Sequence, residues 1–241
     1  MELVNVRTMQ LPPIRRFLAR ALNPALCLAC RVPINSDQFL CRHCRDSLPR
    51  VENPCEQCGL PNHASGNLCP ACLIKPPRWQ RMTAPLMYAA STRRLIHELK
   101  FNDQIHIANA LTTHFHGHFI GQDVDCLIPV PLHRSRLLDR GFNQSEEIAR
   151  KLSTLLGIPL NLESLRRQRA TQSQSGLSLN KRRQNILKAF SYEPDKKYRS
   201  IAVVDDIITT GSTVDEICKT LHQGGVQTVH VWALARALKS V

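Results

Sequence analysis

An α/β fold on a parallel sheet, preceded by a small cysteine-rich module held by metal, is the architecture that three features of this 241-residue sequence predict. Eight cysteines between positions 27 and 72 repeat one spacing twice. An uncharged run at 201–204 enters two carboxylates, a Thr-Thr-Gly-Ser-Thr loop and a helical pattern. From about residue 85 onward, short apolar runs alternate with amphipathic stretches, as βα units require.

The N-terminal segment, residues 1–24, lacks the apolar core and cleavage site of a secretory signal. Within it, Ile14, Phe17, Leu18, Ala21 and Leu22 fall on one helical face with Arg15, Arg16 and Arg20 outside it, which reads as a docking helix ahead of a membrane-surface role. No run of 18 apolar residues occurs, so a membrane span is not expected and a cytoplasmic protein is the default.

The cysteine module comes next. Cys27, Cys30, Cys41 and Cys44 map onto Cys55, Cys58, Cys69 and Cys72, each 28 positions on. A Cys-x2-Cys turn aims two sulfurs at one ion, and two such turns complete the tetrahedral set of structural zinc. A disulfide framework is the competing reading, but it needs an oxidising compartment that the N-terminus does not announce. Residues 25–75 hold few large apolar groups, so metal must supply what a core cannot. Pairing within each half is expected, with a cross-braced scheme as the alternative; His43 and His63 are possible replacement ligands. The stretch Lys75–Arg81 (KPPRWQR) reads as a linker, which puts the domain boundary near residue 80.

In the remaining part, a short strand is expected near Pro85–Ala89 and helices over Thr92–Lys100 and Gln104–Phe119. His114 and His118 share a face of the second helix while His116 points away, so a solvated face is favoured over a metal site. Val124–Val130 reads as a buried strand carrying Cys126, and Cys218 falls on an apolar helix face; both are expected in the core. Then His133, Arg134, Arg136 and Arg140 bring cations to a strand end, Gly141 permits a turn, and Asn143 or Ser145 caps a helix ending near Gly157. Cations so placed would face the crevice at the carboxyl ends of the strands, where open α/β sheets bind ligands. Arg166–Phe190 is polar and basic: either a solvated loop or a lid closed by Arg169, Gln174, Arg182 and Asn185.

Ile201–Val214 (IAVVDDIITTGSTV) organises the rest. Ile201–Val204 reads as an interior strand with Asp205 and Asp206 at its carboxyl end, where acceptor-only side chains suit vicinal hydroxyls or hydrated magnesium. Backbone amides from Thr209 to Thr213, the hydroxyls of Thr209, Thr210, Ser212 and Thr213, and the freedom of Gly211 make an anion cradle at a helix start. A plain helix cap is the bland alternative. No Gly-Lys-Ser or Gly-Lys-Thr is present, so a Walker-type ATP site is excluded. A helix to Gln223, the Gly224-Gly225 stop and a last strand over Val226–Ala235 complete the chain.

The run VVDDIITTGSTV resembles the phosphoribosyl-pyrophosphate (PRPP) loop of type I phosphoribosyltransferases, in which the two acids contact the ribose hydroxyls and the Thr-Thr-Gly-Ser-Thr segment holds the 5'-phosphate. Together with the cysteine module, PVPLHRSRLLDRGFNQSEEIA and the QSGLS and RRQN segment ending in Ala189-Phe190, it resembles the ComF family of competence proteins, close to its GntX-type DNA-utilisation members. That resemblance implies a double zinc ribbon (25–75) followed by a type I phosphoribosyltransferase fold (82–241), magnesium bound with PRPP, and a role with imported single-stranded DNA. Lys188 departs from the pattern, which has Gly before Ala-Phe.

Composition adds little to this. The formal charge is +13, and two tetrathiolate zinc sites would lower it to about +9, still basic enough to attract polyanions. Aromatics are only 5%, too few for a long stacking platform. Three functions stay open on sequence: a single-strand DNA-handling protein with PRPP as ligand, a phosphoribosyl-transferring enzyme with an unknown acceptor, and an adaptor for uptake or recombination proteins whose site is vestigial. No nucleobase pocket is legible.

Overall fold

The computed structural model describes residues 25–34, 39–101, 104–169 and 186–238. The chain forms two compact units, Met1–Asp46 and Ser47–Val241.

In the first unit, a two-stranded antiparallel ribbon of β1 (Ala25–Leu26) and β2 (Pro33–Ile34) precedes a short helix α1 (Arg42–Asp46). The amide of Arg31 closes the first knuckle onto the Cys27 carbonyl at 2.9 Å, with Arg31 in the left-handed region at φ 63.

The second cysteine half is part of the second unit. Its knuckle repeats the geometry of the first, with Gly59 at φ 65 in the place of Arg31 and its amide 2.8 Å from the Cys55 carbonyl. Helix α2 (Pro70–Ile74) starts after Cys69, with Pro70 at the first helical position where its missing N–H costs nothing. From here the chain enters a parallel sheet. The main-chain bond Met82 N to Glu56 O, 2.8 Å, ties the knuckle to strand β3 (Arg81–Thr83).

The sheet runs β3, β9 (Thr228–Arg236), β8 (Ser200–Ile208), β5 (Cys126–Pro129), with β4 (Leu86–Met87) also on β9; every pairing is parallel. Strand β8 is interior and buried along most of its length, as its uncharged run requires. Ile201, Val203, Val229, Val231 and Ala233 share a core with Val214, Ile217, Cys218 and Leu221 of helix α7 (Ser212–Gln223). The alternate residues Ala202, Val204 and Trp232 are fully buried on the other side, where Trp232 stacks on Phe119 at 5.1 Å.

Helices α3 (Ala90–Phe101), α4 (Ile105–Phe115), α5 (Arg134–Arg140) and α6 (Gln144–Leu156) lie between β4 and β8, α4 and α6 packing together and α6 on β5 and β8. The helix expected over 104–119 changes at His116 into a single 3-10 turn that buries Phe119. An antiparallel pair, β6 (Leu165–Arg167) and β7 (Phe190–Tyr192), stands apart from the main sheet. Cys126 and Cys218 are fully buried, as read from sequence. Among the described residues, no helix is long and apolar enough to cross a membrane.

Candidate functional site

The site begins where β5 stops. Its pairing with β8 ends at Pro129 against Val204, whereas the β8–β9 pairing continues through Ile208 and Arg236. Strand β8 therefore extends four residues beyond its β5 neighbour, and Asp205 and Asp206 lie within it and not after its end. The sequence put the strand end at Val204 because charge begins there; backbone pairing with β9 overrides the side-chain pattern.

A cavity of about 1240 Å³ opens at this point. Asp205, Asp206, Thr209, Thr210, Gly211, Ser212 and Thr213 all line it. Asp205 Oδ1 accepts from Ser145 Oγ at 2.8 Å and from the Asp206 amide at 2.9 Å. Asp206 forms an ion pair with Lys100 Nζ at 2.7 Å, at the last turn of α3. Burial, with the Asp206 carboxylate beside it, pushes the Asp205 carboxyl up to about 7. Burial opposes the charge of Lys100, but Asp206 outweighs it and holds the ammonium above its ordinary value.

The loop that follows turns at Gly211, whose φ of 79 suits glycine and whose carbonyl takes the first helical bond of α7 from Asp215 N at 2.8 Å. Thr210 Oγ1 sits 2.9 Å from Ser212 Oγ. Opposite, α5 is capped by His133 and closed by Gly141 at φ 77, and α6 is capped by Asn143, whose side chain accepts from the Ser145 amide at 3.1 Å. Arg136, Arg140 and Arg167 line the cavity from this side. Burial, then the proximity of Arg136, brings Arg167 down to about 10 and lowers Arg140 in the same direction, yet both stay cationic at neutral pH. Acids and a hydroxyl-rich loop thus face a group of cations, an arrangement that fits a sugar carrying phosphate at both ends.

The two cysteine tetrads are Cys27, Cys30, Cys41, Cys44 and Cys55, Cys58, Cys69, Cys72, each with its four sulfurs within 4.8 Å of one another. Pairing is within each half, and the cross-braced scheme is excluded. Backbone amides point at sulfur, Cys41 N to Cys27 Sγ and Cys69 N to Cys55 Sγ both at 3.3 Å. Burial opposes the thiolates, but these amides outweigh it at Cys27, lowered to about 6, and at Cys55, lowered to about 7. Burial and the neighbouring sulfurs push Cys58 up to about 11 and Cys44 and Cys72 higher still. Four thiolates so close need a cation among them, and a closed four-sulfur set fits structural zinc.

Residues 18–73 match the double zinc ribbon domain family and residues 137–240 the phosphoribosyl transferase domain family. The chain is 40% identical to the DNA utilization protein YhgH of Escherichia coli O157:H7, over 89% of this chain and 98% of that one. The chain belongs to the ComF family. It is also 34% identical to competence protein F of Haemophilus influenzae, over 85% of this chain and all of the relative, and 24% identical to competence protein ComFC of Bacillus subtilis, over 85% and 87%.

In this ComF-family chain not every expected residue reaches the cavity. Arg134 is exposed on the first turn of α5 and is not among the lining residues, because the segment is a helix that turns positions 136 and 140 inward instead. Arg169 lies just past β6 and does not line the cavity either. Gln174, Arg182 and Asn185 lie outside the described residues. Lys100, Ser145 and Arg167 are the residues that sequence reading missed. Lys188, the departure from the family pattern, adopts φ 52, the conformation glycine would take, and its amide donates to the buried Glu216 carboxylate at 2.8 Å.

Proposed function

We propose that this protein binds PRPP with magnesium in the crevice at the end of β8 and works with single-stranded DNA in DNA utilisation or natural transformation. The observation that carries the reading is the convergence, on one cavity, of Asp205, Asp206 and the 209–213 loop with Lys100, Arg136, Arg140 and Arg167. Asp205 and Asp206 would hold the ribose hydroxyls and the hydrated metal, the loop the 5'-phosphate, and Arg136 and Arg140 the pyrophosphate. Arg134 and the 169–185 lid residues Arg169, Gln174, Arg182 and Asn185 are proposed only to complete the enclosure when ligand is bound. Magnesium needs only one or two protein carboxylates when phosphate oxygens and water supply the rest, which fits the adjacent pair Asp205 and Asp206, with Asp139 also on the cavity wall. The names of the relatives, DNA utilization and competence proteins, support the DNA role, as does a formal charge of +13. A cytoplasmic location follows from that role.

The second reading is phosphoribosyl transfer to an acceptor. The apolar Leu132 and Leu138 and the ring of Tyr88 on the cavity wall favour it, since a planar acceptor would need such surface beside the sugar. In that case Arg136 and Arg140 stabilise the departing pyrophosphate.

Calorimetry with PRPP and magnesium tests the site. Wild type should give heat, and Asp205→Ala with Asp206→Ala should abolish it; equal heats overturn the proposal. For DNA, log affinity for single strands should fall linearly with log salt by about 0.7 per phosphate neutralised, and a flat response would favour an adaptor for other uptake or recombination proteins.

A further inference from the structure

The second cysteine tetrad and the phosphate loop share the same supports. Arg236, at the end of β9, is 4% exposed. Its Nε donates to the Cys58 carbonyl at 2.8 Å, inside the second knuckle, and its Nη1 donates to Ile208 O at 2.9 Å, to Ala237 O at 2.9 Å and to Thr209 O. One guanidinium thus joins the backbone of a zinc ligand to the first residues of the loop.

Trp79 makes a second connection. Its Nε1 donates to the carbonyl of Gln57, between Cys55 and Cys58, while its ring lies 3.2 Å from where a Cβ on Gly211 would stand. Beside it, Arg78 is paired with Asp215 in the first turn of α7, and the Arg78 carbonyl is 2.8 Å from His222 Nε2 on the same helix. A Cβ on Gly59 would meet Met82 Sδ at 3.2 Å and Arg236 Cδ at 3.6 Å, so the knuckle is seated tightly on these same residues.

We propose that Arg236 and Trp79 are positioning residues that make the shape of the 208–213 loop depend on zinc at Cys55, Cys58, Cys69 and Cys72, so that loss of the second ion, and not of the first, weakens binding of a sugar phosphate. The inference rests on the reading of the cavity given under Proposed function. The physical basis is that the Gln57 and Cys58 carbonyls are fixed in place only while the knuckle is held by metal, and a buried guanidinium deprived of one acceptor shifts toward the others. Because linkage is reciprocal, a ligand whose affinity rises with the second ion in place must raise the affinity of that tetrad for zinc by the same factor.

The test uses the full chain in three zinc states: wild type, Cys30→Ser to disable the first tetrad, and Cys58→Ser to disable the second. Hydrogen exchange at the amides of 208–213 is followed beside those of 201–204. Cys58→Ser should speed exchange in the loop at least tenfold while 201–204 stay protected, and Cys30→Ser should leave both unchanged. Arg236→Lys, which keeps the charge but not the forked donors, and Trp79→Phe, which keeps the ring but not its N–H, should loosen the loop with both zinc ions retained. These two variants decide the matter should Cys58→Ser fail to fold. Unchanged loop exchange in both overturns the proposal, as does equal loosening by Cys30→Ser. In parallel, PRPP with magnesium should raise the chelator concentration needed to remove the second zinc at equilibrium and not that for the first, and Arg236→Lys should remove that protection. No heat from wild type with PRPP, together with loosening of the loop in these variants, refutes the ligand and leaves the coupling standing.

Discussion

Replacing Gly211 by alanine separates the two reasons for a glycine there. Its φ of 79 is left-handed, which for a residue with a Cβ costs roughly 1–2 kcal/mol. Alanine recovers about 0.4–1 kcal/mol through a less free unfolded chain, so backbone strain alone should destabilise by about 1 kcal/mol. In addition, the new Cβ meets Trp79 Cη2 at 3.2 Å, and either that ring or the loop must move by a few tenths of an ångström. Gly157 is the control: its φ is 69 at the end of α6, but nothing lies within 4 Å of its Cβ position. Both variants should lose about 2–4 °C in thermal melting, the shift that 1 kcal/mol gives in a chain of this size. Only Gly211→Ala should weaken PRPP binding by calorimetry, by about tenfold, since a displacement of the loop acts on phosphate contacts that a helix end does not make. Equal affinity in the two variants would refute the account of the loop as a phosphate cradle packed against Trp79.

Three further outcomes follow from the same geometry. Lys188→Gly should raise stability by about 0.5–1 kcal/mol, by relieving φ 52 while keeping the amide bond to Glu216, and a lower melting temperature would show that the lysine side chain has work of its own. Lys100→Met should cost about 3 kcal/mol in urea unfolding because it strands the buried Asp206 carboxylate, and adding Asp206→Asn should recover most of it; additive losses would deny the pair. Asp205 has a folded pKa of about 7, above its unfolded value near 4, so its contribution is fully present below pH 4 and is lost as pH climbs to 7. Asp205→Asn should therefore match wild type near pH 4 and melt higher than it at pH 8, whereas parallel melting curves would remove the perturbed carboxyl.

The parts of the site legible in sequence were those carried by contiguous residues. Asp205 to Thr213 could be read because strand, acids, loop and helix start follow one another without a gap, and the chemistry of each residue type limits what it can do there. Lys100 and Ser145 could not be read in the same way. They reach the acids from helices about 105 and 60 residues away in the chain, and nothing in their own neighbourhoods distinguishes a lysine at a helix end or a serine after an N-cap from an ordinary surface residue. The course of β8 was misjudged for a related reason: which neighbour continues and which stops is set by pairing partners that are distant in sequence. Arg236 marked only the end of a pattern in the sequence, yet its four carbonyl partners span residues 58 to 237.

The cysteine repeat shows how one sequence motif came to have two structural roles. Both knuckles demand a left-handed residue after the second cysteine, and the halves answer differently, with Arg31 at φ 63 and Gly59 at φ 65. Zinc coordination cannot explain the difference, since it imposes the same turn on both. What differs is the neighbour: a Cβ at 59 would stand 3.2 Å from Met82 Sδ, which would have to give by a few tenths of an ångström, with Arg236 Cδ in ordinary contact at 3.6 Å, so a side chain there is crowded as well as conformationally strained. Arg31 is exposed, and its turn is closed by its own amide on the Cys27 carbonyl at 2.9 Å and by the Cys27 amide on the Val32 carbonyl at 2.8 Å. Arg31→Gly should therefore stabilise the first ribbon by about 1 kcal/mol and slow its loss of zinc to a chelator. Gly59→Arg, the reciprocal exchange, should leave the second tetrad able to bind zinc in a peptide of residues 47–75 but release it from β3 in the full chain; a full-length variant with wild-type melting temperature and loop exchange would show that the second knuckle does not need its seat.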